Sequence, residues 1–233
     1  EGSQPPTAGR GATVEYRSRN GEQVSFEAHP ILVDKLLDDV KAYLKSNPRR
    51  LDWETLNIDN IGYRLVDKQQ TKYLGEKVAD WQLELQPREN HFDRRITVDT
   101  PLQKAGAYLV TAKMKDGNVS RIILWLNDTV IAQKQLDGKV LYYVADAASG
   151  KPVERANVEF FGYRQENIGR NRYAVRISQF AEFSDADGQI VPDPKDLNKD
   201  YQWIAIARTK QGRFAYLGFN GVRYGRMADP VYE

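Results

Sequence analysis

The chain has 233 residues, which is enough for one large domain or for two domains of about 110 residues, each with its own core. With 41% hydrophobic and 28% charged residues it is not a disordered chain, and it has no cysteine for a disulfide, a thiol nucleophile or a thiolate metal site. The net charge of +2, from 34 basic and 32 acidic residues, excludes the broad basic surface with which proteins bind nucleic acid.

The N-terminal residues EGSQPPTAGRGA are polar and rich in glycine and proline. They lack the basic start and the apolar stretch of a signal peptide, and we expect residues 1–11 to form a flexible tail. The first residue is not methionine, which favours a processed or excised fragment whose targeting signal has been removed. No apolar run approaches the roughly 20 residues that span a bilayer, so we expect no membrane contact within this fragment.

Two patterns open the first half of the chain. Apolar and polar residues alternate over 12–28 around Asn20-Gly21, which predicts a β-hairpin. Between Pro30 and Pro48, apolar residues over 33–44 recur at helical period and predict one helix. This helix is either a partner-binding helix or, as we expect, a helix packed across its own sandwich.

The remaining pattern is one of short strands separated by turns. Strands are predicted at 58–66, 78–85, 96–98, 107–114, 121–126, 129–134, 140–144, 158–163, 173–177, 181–183, 201–207 and 213–219. Many short strands with turn residues every 8–12 positions are typical of β-sandwiches. We therefore predict an all-β chain of two tandem antiparallel sandwiches, macroglobulin-like or fibronectin-III-like, with one short helix in the first. The predicted domains are 12–117 and 118–233.

The segment Leu141 to Phe161, LYYVADAASGKPVERANVEFF, reads as a strand, a turn and a second strand. Asp146, Ser149 and Gly150 supply the turn chemistry, and Pro152 precedes the second strand. This pattern begins an antiparallel sandwich, and nothing in it is catalytic. It indicates an extracellular structural module rather than an enzyme.

Several motifs occur together in a characteristic order. They are PLQKAGAYLV at 101–110, YVADAASGKPV at 143–153 followed by Ala156 and Val158, SDADG at 184–188, IAIAR at 204–208 and FAYLG at 214–218. In this order, over residues 24 to 225, the chain resembles the macroglobulin-like domains of bacterial α2-macroglobulins.

The resemblance implies a scaffold fragment of a large exported inhibitor that traps proteases after a bait region is cut. Its partners would be neighbouring domains of the parent chain, with proteases as targets of the full-length protein, in the periplasm or at the cell surface. The thioester of many members requires a Cys-x-Glu-Gln motif, and no cysteine is present to carry it over. We therefore predict no catalytic residue and no cofactor. The alternative is an extracellular binding module, either an adhesin or a glycan-binding sandwich.

The residue pattern offers two candidate metal sites. Asp185 and Asp187 resemble the start of a calcium loop, although Asp-x-Asp-Gly is also ordinary turn chemistry, which we favour. His29 and His91 with Asp93 would be a conceivable histidine–carboxylate site, but no short ligand spacing supports it. The prediction is no metal site, with Asp185 and Asp187 as weak calcium candidates.

Aromatic and arginine residues give the last expectations. Residues 163–176 interleave two tyrosines with arginines 164, 170, 172 and 176, which would suit nucleic acid or acidic glycans. Because the overall charge is balanced, we expect a long solvated hairpin there, or a docking loop for a neighbouring domain. Trp125 and Trp203 are predicted core residues of the second domain, and Trp81 and Tyr108 of the first.

Overall fold

The computed structural model describes residues 8–9, 11–115, 117–170 and 172–225, so most of the expected tail 1–11 lies outside the described residues. The strands are β1 Ala12–Ser18, β2 Gln23–Pro30, β3 Ala79–Glu84, β4 Arg94–Thr100, β5 Gly106–Met114, β6 Val119–Leu126, β7 Thr129–Leu136, β8 Lys139–Asp146, β9 Asn157–Asn167, β10 Tyr173–Phe183, β11 Gln189–Ile190, β12 Gln202–Arg208 and β13 Phe214–Gly221. The helices are α1 Val33–Lys45, α2 Trp53–Leu56 and α3 Ile61–Val66, with single 3-10 turns at Thr71–Tyr73 and Glu89–His91.

The chain divides into two compact units. Unit one comprises the residues up to Leu37 together with Asp59–Asn127, and unit two comprises Asp38–Ile58 together with the residues from Asp128 onward. The division falls inside α1, whose buried stripe confirms the predicted helix. Each unit is a sandwich of two antiparallel sheets, as the alternating strands predicted.

Unit one packs a four-stranded sheet, in the order β3-β2-β5-β6, against the pair β1-β4. Side chains from both sheets form one core, because alternate residues of each strand point inward. Phe26 of β2 is central to it. Its ring stacks on Trp81 at 5.1 Å and meets the edge of Tyr16 at 5.5 Å. Tyr108 is buried in the same core, as predicted, while Trp81 is half-buried against it.

Unit two packs the four-stranded sheet β10-β9-β12-β13 against β11-β8-β7. Its core is aromatic, since Phe160 meets the edge of Tyr142 at 4.9 Å and stacks on Phe180 at 4.7 Å. Trp203 is 1% exposed and donates its indole N–H to the carbonyl of Asn198, which confirms it as a core residue. The glycine at 162 allows this packing, because a Cβ there would lie 2.6 Å from the Trp203 ring.

The predicted hairpin at Asn20-Gly21 is wrong. β1 pairs with β4, and β2 pairs with β3 and β5, so the turn carries the chain from one sheet of the sandwich to the other. Asn20 has a positive φ of 60°, as the turn chemistry indicated. The turn residues therefore predicted correctly that the chain reverses direction here, but they did not determine which strands pair.

The predicted strand over 58–66 is also wrong. Residues 61–66 form α3, whose N-cap Asn60 accepts a hydrogen bond from the N–H of Tyr63, and α2 precedes it with Asp52 as its N-cap. The alternating apolar residues were also compatible with a short helix, and the caps at Asn60 and Asp52 decided between the two. The prediction of one short helix is corrected accordingly.

The boundary between the two units lies later in the chain than the predicted domain boundary between residues 117 and 118. β6 pairs with β5 along eight residue pairs and so belongs to unit one, and unit two resumes at Asp128. For the same reason Trp125, on β6, is a half-buried residue of unit one and not a core residue of the second domain. The strands on either side of the predicted break, β5 and β6, pair with each other, so the break does not separate two domains.

Candidate functional site

The turn that follows β10 uses the carboxylate of Asp185 to hold its own backbone. Asp185 Oδ1 accepts hydrogen bonds from the N–H groups of Asp187 and Gln189, at 2.9 and 2.8 Å. Gly188 completes the turn with φ +71°, and a Cβ there would lie 2.5 Å from the carbonyl oxygen of Val144. The weak calcium candidates Asp185 and Asp187 therefore lie in a turn whose geometry is accounted for without an ion.

The two histidines belong to different local arrangements. His29 Nδ1 lies 3.0 Å from the carbonyl oxygen of Gly75. The side chain of His91 lies outside the described residues, while Asp93 accepts hydrogen bonds from Arg17 and Arg19. These guanidinium groups lower the pKa of Asp93 to about 2. Within the described residues no group of three or more histidine, aspartate and glutamate side chains could hold a metal ion.

The ASGKP turn between β8 and β9 is built around Asp146. One carboxylate oxygen accepts from the N–H groups of Ala148 and Ser149 and from the Ser149 hydroxyl. The other accepts from Arg213 Nη1 at 2.9 Å, and the same nitrogen lies 3.2 Å from the carbonyl of Asp128. These donors hold the pKa of Asp146 well below its ordinary value. The motif that carries the family resemblance is thus an ion-paired turn.

The arginine and tyrosine segment at 163–176 is an extended hairpin, as predicted. β9 and β10 pair over eleven residue pairs, whereas β9 pairs with β12 only as far as Tyr163. Arg176 is ion-paired with Glu166 at 2.5 Å across the ribbon. Arg164 lies over the ring of Tyr201 at 5.3 Å. The arginines are therefore divided between ribbon and sheet and do not form one stacking platform.

Residues 38–58 form a segment, here called the strap, that lies on the outer face of the sheet of β9 and β12. Lys41 Nζ contacts both carboxylate oxygens of Glu159, at 3.0 and 3.2 Å, and Arg208 reaches the same carboxylate at 3.4 Å. Lys45 lies over the ring of Phe161, 5.6 Å from its centroid. Residues 38–45 of α1 thus belong to the second unit, whereas the sequence predicts a helix packed wholly across the first sandwich.

The strap was missed by sequence analysis because its partners are more than a hundred residues away along the chain. The available indication was on β12, where both alternate sets of side chains are apolar. Trp203, Ala205 and Ala207 face the sandwich core, while Ile204 and Ile206 face the other side and are still buried. A strand whose side chains are apolar on both faces is packed against other elements on both faces.

These features define an all-β protein of two tandem antiparallel β-sandwiches. Among the described residues, no helix is long and apolar enough to cross a membrane. No protein-family model and no curated protein sequence matches the chain.

Solved structures of a bacterial α2-macroglobulin have this fold. A native α2-macroglobulin fragment from Escherichia coli spanning domains NIE-MG1 matches with a TM-score of 0.52 and 16% identity, over 92% of this chain and 91% of that fragment. A longer fragment spanning MG0-NIE-MG1 matches with a TM-score of 0.52 and 15% identity, over 93% of this chain. The chain spans 62% of that longer fragment. At this identity the likeness shows the fold.

Proposed function

We propose that the chain is a structural scaffold segment of a bacterial α2-macroglobulin-like protease inhibitor. One observation carries the proposal: a single fragment of the Escherichia coli protein matches both units together, with 92% of this chain and 91% of the fragment covered. A chance likeness between common sandwiches would cover one unit more readily than two in tandem. In this proposal unit one corresponds to NIE and unit two to MG1.

The role is mechanical and does not require catalysis. The ion-paired turn at Asp146 and the strap contacts at Glu159 hold the second unit with charge-assisted hydrogen bonds, which suits a rigid module that carries neighbouring domains. We place the protein outside the cytoplasm, in the periplasm or at the cell surface. There the full-length protein would entrap proteases after cleavage elsewhere in its chain.

The test uses the full-length protein that contains these residues. It is treated with a general protease, and the hydrolysis of a small chromogenic peptide is compared with that of casein. Entrapment predicts that peptide hydrolysis continues while casein hydrolysis falls, because only the large substrate is excluded. The 233-residue chain alone is the control, and it should protect neither substrate.

Undiminished casein hydrolysis with the full-length protein would contradict entrapment and favour the binding-module alternative. A glycan platform requires several coplanar exposed aromatic rings. The three most exposed aromatic residues do not belong to one unit, since Phe92 lies in unit one and Trp53 and Phe183 lie in unit two, so we favour the scaffold.

A further inference from the structure

Strand β10 is an open edge of the four-stranded sheet in unit two. It pairs with β9 on one side, and in the described part of the chain no strand pairs on the other. The carbonyl of Arg172 accepts a hydrogen bond from the N–H of Ile168, and the N–H of Ser184 donates to the carbonyl of Ala156. The even-numbered residues at both ends of the strand therefore direct their backbone groups toward β9. Val175, at an odd position, donates its N–H outward to Asn47 Oδ1 at 2.7 Å.

Odd-numbered residues beyond Val175 therefore direct their backbone N–H and C=O groups to the open edge, because these groups alternate along a strand. Gln179 and Ala181 are exposed there, and Phe183 is 65% exposed. Residues 177–183, ISQFAEF, contain no lysine, proline or glycine, which are residues that discourage edge pairing. At the opposite edge, by contrast, the pairing of β13 with β12 is interrupted by a register shift.

We propose that β10 pairs antiparallel with β10 of a second copy of this chain, about a two-fold axis at Gln179. In this register Ile177 of each copy lies opposite Ala181 of the other, and outward-facing backbone groups meet each other. The pairing between the two copies ends at Val175, because its outward N–H already donates to Asn47 Oδ1. An isologous contact of this kind gives a closed dimer.

Charge complementarity favours this register over the registers shifted along the strand. With the two-fold axis at Gln179, Arg176 of each copy lies opposite Glu182 of the other, which gives two ion pairs. A shift of the axis by one residue separates these opposite charges. Within the described residues Glu182 has no cationic partner, and burial together with Asp193 and Asp196 raises its pKa. Arg176 uses its Nε on Glu166, and a guanidinium has further N–H groups to donate.

The test exploits the absence of cysteine from the chain, because a single introduced cysteine can only link two copies. In the proposed register, residue 179 lies opposite itself with a Cα separation of about 5.5 Å, within the range that a disulfide bridges. The Cα atoms of residue 181 in the two copies would lie about 14 Å apart, which a disulfide cannot bridge. Under mild oxidation we expect Q179C to form disulfide dimers and A181C to stay monomeric.

Sedimentation of the unmodified chain over a range of concentrations supplies an independent measurement. A concentration-dependent dimer is expected, and E182R should weaken it by about 2- to 30-fold, because two symmetric charge pairs become repulsive. E154R is the matched control, an exposed glutamate outside the register that should leave the dimer unchanged.

A chain that stays monomeric, or Q179C and A181C variants that oxidise to dimers equally fast, would overturn the proposal. A monomer would leave the edge to a strand of another protein or to none. The proposal does not depend on the scaffold function, so the protease experiment and this one fail separately.

Discussion

At the scale of the residue, the carboxylate of Asp146 fixes a turn by accepting several hydrogen bonds at once. Its donors are backbone and hydroxyl groups of Ala148 and Ser149 and the guanidinium of Arg213. These interactions require the ionised form, which is why the pKa is depressed. A depressed pKa contributes stability that is fully present above the ordinary value of 3.8 and is lost progressively as the pH falls from there toward the lowered pKa.

We predict that Asp146→Ala lowers the free energy of unfolding by about 1–2 kcal/mol at pH 7, because charge-assisted hydrogen bonds are lost. The difference from the parent chain should shrink as the pH is lowered from 5 to about 3, where the parent carboxylate begins to lose its advantage. Urea unfolding at several pH values measures both effects. The control is Asp137→Ala, in an exposed turn, and should change stability by less than about 0.5 kcal/mol. An equal deficit at pH 7 and pH 3 would refute the ionic explanation.

At the scale of the element, a small number of ionic contacts attach the strap to the outer face of the sheet of β9 and β12. Lys41 and Arg208 converge on Glu159, and the Lys41 side chain is only 14% exposed. Between β10 and β9, by comparison, the side chains of the ion pair Arg176 and Glu166 are 54% and 40% exposed. Less exposed ion pairs are screened less by solvent, so the two pairs should contribute differently to stability.

We predict that Glu159→Gln destabilises the chain by about 1–2 kcal/mol, since the cations of Lys41 and Arg208 lose the negative charge that they share. Glu166→Gln, the same change in an exposed pair, should cost less than Glu159→Gln, because solvent screens the exposed pair. Urea unfolding of both variants at pH 7 makes the comparison. Equal effects would show that the contact of the strap with Glu159 contributes no more than an exposed ion pair.

At the scale of the whole molecule, unit two is completed by residues from early in the chain. Phe161, Ile204 and Ile206 are almost fully buried, although they lie on the face of the sheet that points away from the sandwich core. The strap lies over this face, with Lys45 on the ring of Phe161. A domain cut at the boundary predicted from the sequence would expose these side chains.

We therefore predict that a fragment of residues 128–233, which lacks only the strap from unit two, binds the dye 1-anilinonaphthalene-8-sulfonate, which reports exposed apolar surface. The 233-residue chain is the control and should bind little dye. A second fragment that joins residues 38–58 to residues 128–233 through a flexible linker should return to the low dye binding of the complete chain. Low dye binding and cooperative unfolding of the 128–233 fragment would show that the strap is dispensable.

The sequence by itself determined where most strands, α1 and the principal turns lie. These features depend on neighbours a few positions apart: the period of two along β2, the helical stripe of α1, and the turn residues around Asp146 and Asp185. The order of motifs also predicted the sandwich fold, which the solved α2-macroglobulin structures share.

Only the tertiary structure decided which strands pair and to which unit each segment belongs. The reversal at Asn20-Gly21 looks the same whether it joins paired strands or crosses between sheets, and the register of β1 on β4 is set by residues about eighty positions away. Lys41 and Glu159 are 118 residues apart, so no local period relates them. Burial on both faces of β12 requires cover from a distant segment, because a strand has two faces and its own sandwich covers one.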